Sequence, residues 1–188
     1  MRSSLFLHFR IVKHRALLGA WVMPRRLFPS AAECFAPSAR AMLTQSMDIE
    51  AEFMKEALSE ARGAAAAGEV PIGAIIVHDG RVVARSGNRT IRDCDPTAHA
   101  EMVVLREAAR GLGNYRLADS VVYSTIEPCA MCAGALIQAR VRLLVYGATD
   151  EKAGAVESHF QICDSDHLNH RVEVIKGVLE AECLYLIS

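Results

Sequence analysis

Val70–Arg85 reads VPIGAIIVHDGRVVAR. The run Val70–His78 is apolar and uncharged, which predicts a buried strand. Asp79-Gly80 is a two-residue hairpin turn, and Arg81–Arg85 returns as its antiparallel partner. Upstream, the pattern turns helical from Asp48, with Phe53, Ala57, Ala61 and Ala64 at three- and four-residue spacing and Gly68 at the stop. Downstream, Gly87–Pro96 is a polar loop, followed by a helix from Ala98 to Ala109 that ends near Gly111 and Gly113. Ser120–Thr125 is a strand, Pro128 opens a helix running to Ala139, and Arg142–Gly147 is another strand. Ala148–Asn169 reads as loop with one short helix, Arg171–Ile175 as a weaker strand and Leu179–Ile187 as a final helix. Strands alternating with helices predict an α/β fold, a three-layer α/β/α sandwich around a central mixed five-stranded sheet. The hairpin makes one pair antiparallel, and the later β-α-β units favour parallel pairing with right-handed crossovers.

The chain has 188 residues, 52% hydrophobic and 23% charged, a composition that excludes a disordered or collagen-like chain. No apolar run is long enough to span a membrane. The net charge of -1 conceals two regimes. Residues 1–46 carry seven Lys/Arg and one acid, Glu33, whereas residues 47–188 sum to about -7. Residues 1–46 are therefore read as an N-terminal extension, disordered or absent from the mature protein, and residues 47–188 as the folded domain. An Arg-rich, acid-poor leader is also the composition of an organellar transit peptide, and a nucleic-acid-binding arm is a further reading. Six cysteines, four of them scattered singly, are too few for a disulfide scaffold and point to a reducing, cytoplasmic setting, or an organellar one if the leader is a transit peptide.

Two stretches carry chemistry. Thr97-Ala98-His99-Ala100-Glu101 and Glu127-Pro128-Cys129-Ala130-Met131-Cys132 each stand at a predicted helix start. Cys129 and Cys132 share a helix face. An imidazole and two thiolates form a familiar Zn2+ ligand set that leaves a fourth position for water. Helix N-termini favour thiolate over thiol. Glu101 is placed beside the metal without ligating it, where a carboxylate can move protons. Other readings of the same residues are a redox dithiol, a capping or core histidine, and a closed structural zinc site completed by His159, His167 or Cys163. The joint pattern, His-x-Glu and then Pro-Cys-x-x-Cys about 30 residues on, favours the open zinc site.

That joint pattern resembles the zinc nucleobase deaminases of the cytidine deaminase superfamily. Further stretches resemble the bacterial tRNA-specific adenosine deaminases: Gly68–Ala74 (GEVPIGA), Gly87-Asn88-Arg89, Asp95–Glu101, Asn114–Leu117, Glu127–Ala135 (EPCAMCAGA), Tyr146–Ala148 and Leu168–Val174 (LNHRVEV) with Gly177-Val178-Leu179. The resemblance covers roughly residues 49–187. It implies a cytidine deaminase-like fold and one Zn2+ per subunit on His99, Cys129 and Cys132, with Glu101 as proton shuttle. It also implies that Asn88 hydrogen-bonds a flipped base, that the backbone near Ala100 shapes its pocket, that Val70 and Pro71 line the mouth, and that the enzyme acts as a homodimer on a tRNA anticodon stem-loop. Relatives carry an aromatic and basic helix beyond the position of Ser188, so phosphate contacts from that helix are expected to be missing or replaced. Arg89, Arg92 and Lys152 are the weaker candidates for RNA contact. Residues 81–142 hold nine arginines against six acids, with Arg81, Arg85, Arg89 and Arg92 along one hairpin and its loop.

The expected reaction is zinc-dependent hydrolysis of adenosine to inosine at the tRNA wobble position, releasing ammonia. The alternatives are a deaminase of a free guanine- or cytosine-type base or nucleoside, and a non-catalytic RNA-binding partner subunit. A dimer is also suggested by the apolar side that Ala133, Leu136 and Ile137 give the cysteine helix.

Overall fold

The computed structural model describes residues 39–187, with side chains from Asp48 onward. The expectation for residues 1–46 thus lies mostly outside the described residues. The first helix, α1, spans Ala39–Ala66, so its backbone starts upstream of the apolar periodicity that begins at Asp48. The turn that follows it carries Gly68, whose φ of +78° suits glycine. Then come β1 (Gly73–His78), β2 (Arg81–Gly87), α2 (Ala100–Leu112), β3 (Ser120–Ile126), α3 (Ala130–Gln138), β4 (Leu143–Ala148), a 3₁₀ turn (Ile162–Asp164), β5 (Glu173–Lys176) and α4 (Glu180–Ile187). Asp79 and Gly80 both have positive φ, 49° and 71°, as a type I′ hairpin turn requires.

The five strands form one mixed sheet in the order β2-β1-β3-β4-β5. This is the expected fold class, with one pairing added. β1 lies antiparallel to β3 as well as to β2, while β3-β4 and β4-β5 are parallel. The β2-α2-β3 crossover therefore steps over β1 instead of pairing the two strands it joins. Helix-strand alternation alone does not reveal which neighbour a crossover skips.

Both faces of the sheet are covered. Ala74, Ile76, Val122, Leu144 and Tyr146 face α2 and α3, where Ala100, Val104, Ala108, Ala133, Leu136 and Ile137 complete one core. The alternate residues Ile75, Val77, Tyr123 and Val145 pack with Met54, Ala57 and Leu58 of α1 and Cys183 of α4. This alternation is the two-residue period of a strand buried on both sides. Ala133, Leu136 and Ile137 are at most 1% exposed within a single chain. They therefore leave no face for a second copy, which corrects that argument for a dimer. No helix among the described residues is long and apolar enough to cross a membrane.

Candidate active site

β3 and β4 run parallel and end at Ile126 and Ala148, so the segments that leave them emerge at the same sheet edge. In open α/β sheets that carboxyl edge is where ligands bind. Two helices begin there. His99 is the N-cap of α2 (φ -65°, ψ 151°) and Cys129 the N-cap of α3 (φ -70°, ψ 173°). Neither side chain caps its helix. Their carbonyls accept the first helical N–H groups, from Val103 at 3.0 Å and Ala133 at 2.8 Å. The imidazole and thiol are thus left for each other.

They meet as a triangle. Cys129 Sγ lies 3.7 Å from His99 Nδ1 and 3.7 Å from Cys132 Sγ, and Cys132 Sγ lies 3.6 Å from Nδ1. With metal–sulfur and metal–nitrogen bonds of about 2.3 and 2.0–2.1 Å, tetrahedral coordination needs edges of about 3.5–3.8 Å. The donor set therefore fits a tetrahedral, thiophilic ion. Among the described residues no fourth His, Cys, Asp or Glu joins this group. His159 Nε2 instead contacts the Glu151 carbonyl at 2.7 Å, and Cys163 is buried in the core beside α3. The closed four-ligand reading fails for that reason. The Cys129 thiol pKa falls to about 4, first through the Cys132 thiol and then through His99. Cys132 faces the Cys129 sulfur in a buried position and is held far above the usual thiol range.

Glu101 lies one step inside the first turn of α2 and is 3% exposed. Ser124 of β3 donates to its Oε1 at 3.2 Å, and the Cys132 thiol approaches Oε2 at 3.6 Å. Burial raises the pKa of this carboxyl above its ordinary value. Asn88 is also buried, and its Oδ1 accepts the Ala100 N–H at 2.8 Å. Its backbone N–H donates to Ile72 O at 3.0 Å, which seats the Val70–Ile72 segment next to it. Val70 is 48% exposed and Pro71 is half-buried.

The weaker candidates separate. Arg89 is ion-paired with Asp93 at 3.0 Å and Glu107 at 3.3 Å, tying its loop to α2. Arg92 is more exposed and meets Asp93 at 3.4 Å. Arg85 pairs with Glu56 of α1 at 3.0 Å. Lys152 is exposed on the loop after β4.

Three buried residues escaped the sequence reading: Ser124, Glu69 and Glu127. Glu69 accepts N–H bonds from Ile91 at 3.0 Å and Arg92 at 2.8 Å, and the Thr90 hydroxyl at 3.1 Å. The Arg92 N–H first, with the Ile91 N–H and the Thr90 hydroxyl, holds its pKa below normal despite partial desolvation. Burial would raise Glu127, but the Ser158 hydroxyl and the N–H groups of Glu157, Ser158 and Asp150 outweigh it and bring it to about 2.

Comparison with known proteins gives consistent matches. Residues 47–182 match the MafB19-like deaminase family. The chain is 52% identical over 130 residues to the tRNA-specific adenosine deaminase of Agrobacterium fabrum, covering 69% of this chain and 86% of that one. It is 44% identical over 142 residues to that of Haemophilus influenzae, covering 75% and 82%. A structure from studies of A-to-I editing by tRNA:A34 deaminases at the wobble position superposes with a TM-score of 0.70 at 50% identity, covering 72% of this chain and 98% of that one. A guanine deaminase from Nitrosomonas europaea superposes with a TM-score of 0.60 at 27% identity, covering 72% and 81%.

Proposed function

The chain belongs to the MafB19-like deaminase family, and on that premise we propose that it deaminates adenosine to inosine at the wobble position of a tRNA. The observation that carries this reading is the His99–Cys129–Cys132 triangle with buried Glu101 beside it, in a chain 50% identical to a tRNA:A34 deaminase. The guanine deaminase likeness is weaker in both identity and superposition. A silent partner subunit would not need a proton-carrying glutamate held by Ser124 at the ligand triangle. The deaminase unit is residues 47–188.

His99 Nδ1, Cys129 Sγ and Cys132 Sγ would hold one zinc ion per chain, and zinc brings the pKa of a water toward neutrality. Glu101 takes one proton from the attacking water and delivers it to ring N1. The water oxygen adds to C6, and the second water proton passes to the exocyclic amine. That amine leaves as ammonia, and the carbonyl of inosine remains. With Asn88 Oδ1 committed to the Ala100 N–H, the Nδ2 end is the donor offered to an acceptor on the flipped base. Val70 and Pro71, seated next to Asn88, would line the mouth of that pocket. An anticodon loop already displays unpaired bases, so extruding one costs less than it would from a duplex. A homodimer would use the shallow, mostly apolar surface between α2 and α3, where Met102, Ala109, Ala135 and Ala139 lie beside Tyr115 of the loop after α2, which is 67% exposed, with Arg106 and Gln138 at its edge.

The test offers the zinc-loaded protein a stem-loop with adenine at the wobble position, alongside free adenosine, guanine and cytosine. Inosine in the stem-loop with stoichiometric ammonia is expected. Conversion of a free base alone would transfer the assignment to the free-base deaminases. Elemental analysis should give one zinc per chain, falling to near none in Cys132→Ala with loss of thermal stability, because metal binding is coupled to folding.

A further inference from the structure

Glu127 directly follows β3 and is 1% exposed. Its carboxylate is enclosed by the loop that follows β4. Oε1 accepts the N–H groups of Val156 at 3.0 Å, Glu157 at 2.8 Å and Ser158 at 3.0 Å. Oε2 accepts the Asp150 N–H at 3.1 Å and the Ser158 hydroxyl. A single anion thus satisfies both ends of the 150–158 loop. The middle of the loop is fitted to it as well. A Cβ on Gly154 would stand 2.3 Å from Glu127 Oε2 and 2.6 Å from Asp150 O, so only glycine fits there. Gly154 also forms a β-bridge with Cys129, and the Ala155 N–H donates to Pro128 O at 2.9 Å. The loop is therefore fastened to the peptide segment that carries one corner of the ligand triangle.

We propose that Glu127 is a positioning residue that ties the 150–158 loop to the Cys129 segment and so fixes the β4-side wall of the substrate pocket. The substrate part of this inference rests on the deaminase reading above. Glu127 touches no ligand atom of the triangle and acts through the loop it holds. Both loop and ligand segment leave the carboxyl ends of adjacent parallel strands, where a bound nucleotide must lie against them. An ionised carboxylate suits the task, since each oxygen can accept several N–H groups, while an amide nitrogen can accept none.

Glu127→Gln keeps the shape of the side chain but turns one acceptor into a donor. Either amide orientation sets an NH2 group against at least one backbone N–H. In the full, zinc-loaded chain, hydrogen exchange at the Asp150, Val156, Glu157 and Ser158 amides should quicken by about tenfold or more, while β1 and β3 amides keep their protection. Zinc should remain at one per chain. KM for the stem-loop should rise about tenfold with kcat within a few-fold of wild type, the signature of lost substrate positioning. Ser158→Ala, at an exposed position, removes one partner without threatening the fold and should move both readouts the same way by less. Unchanged exchange at the loop amides in both variants overturns the proposal. So does loss of zinc and kcat together with unchanged KM, which would make Glu127 part of the metal site's scaffold only. If the wild-type protein leaves every stem-loop untouched, the deaminase reading fails, and the exchange and zinc measurements alone decide whether Glu127 holds the loop.

Discussion

At the residue scale, Glu101 has no structural reason to be a carboxylate. It is buried, takes one hydrogen bond from Ser124 and faces a thiol, so as a charge it is poorly supported. A core position of that kind accepts a small apolar residue more cheaply than an ion. Glu101→Ala should therefore keep the fold and the zinc while activity falls by at least about a hundredfold, the scale of a lost general acid–base group. Single-turnover deamination with zinc content measured on the same sample checks this, and near-normal turnover would move the proton shuttle elsewhere. The His99–Cys129–Cys132 cluster with Glu101 beside it was legible because its message is local: His99 and Glu101 are two apart, Cys129 and Cys132 three apart, each at a helix start. Glu127 was not legible. Its partners lie 23 to 31 residues away, and only the parallel pairing of β3 with β4 brings them to it.

At the scale of elements, the hairpin and the helices follow from periodicity and turn chemistry, and their boundaries moved by only a few residues, except that α1 begins at Ala39, well upstream of Asp48. What periodicity omits is how closely elements approach. β1 crosses α1 at Gly73, where a Cβ would stand 2.1 Å from Ala57 O and 2.4 Å from Ala61 N. Backbone cannot give way as a side-chain tip can. Gly73→Ala should cost about 1–3 kcal/mol or more, the range of core overpacking, read as a lower denaturation midpoint at unchanged m-value. The loop between β2 and α2 is set by Glu69, whose carboxylate binds the Ile91 and Arg92 N–H groups and the Thr90 hydroxyl. Its folded pKa lies below the ordinary 4.5. A depressed carboxylate stabilises the fold above its unfolded pKa, and that contribution fades as pH falls through the folded value. Wild type should therefore exceed Glu69→Gln in stability at neutral pH, with the gap narrowing below about pH 4.5. A constant gap across that window, measured by denaturation at stepped pH, would mean that the carboxylate charge is irrelevant to the loop.

At the scale of the whole molecule, the charge balance has to be reconciled with a polyanionic substrate. Residues 47–188 carry about -7, so the net field repels RNA, and binding must depend on where cations stand free of acids. The arginine-rich segment read from the sequence is largely spent in the fold. Arg85 answers Glu56, and Arg89 answers both Asp93 and Glu107. Arg92 is the better phosphate candidate of this loop, with a side chain 57% exposed and a single, longer contact to Asp93 at 3.4 Å. It also adjoins the backbone that Glu69 fixes, so it is presented from a fixed base. The two arginines should then behave differently. Each phosphate contact on a single strand contributes about -0.7 to the slope of log affinity against log salt. Stem-loop binding by the wild type should weaken as salt rises, while turnover of an uncharged free base would hardly respond. Arg92→Ala should weaken stem-loop binding and flatten the slope by roughly one contact's worth. Arg89→Ala should leave the slope near wild type and instead lower stability, because it releases the loop from α2 and leaves Asp93 and Glu107 without that partner. Binding isotherms for both variants at several salt concentrations decide the matter. Equal slopes for Arg92→Ala and wild type would show that the exposed arginine is only a solvated charge and that the RNA backbone is held from another face.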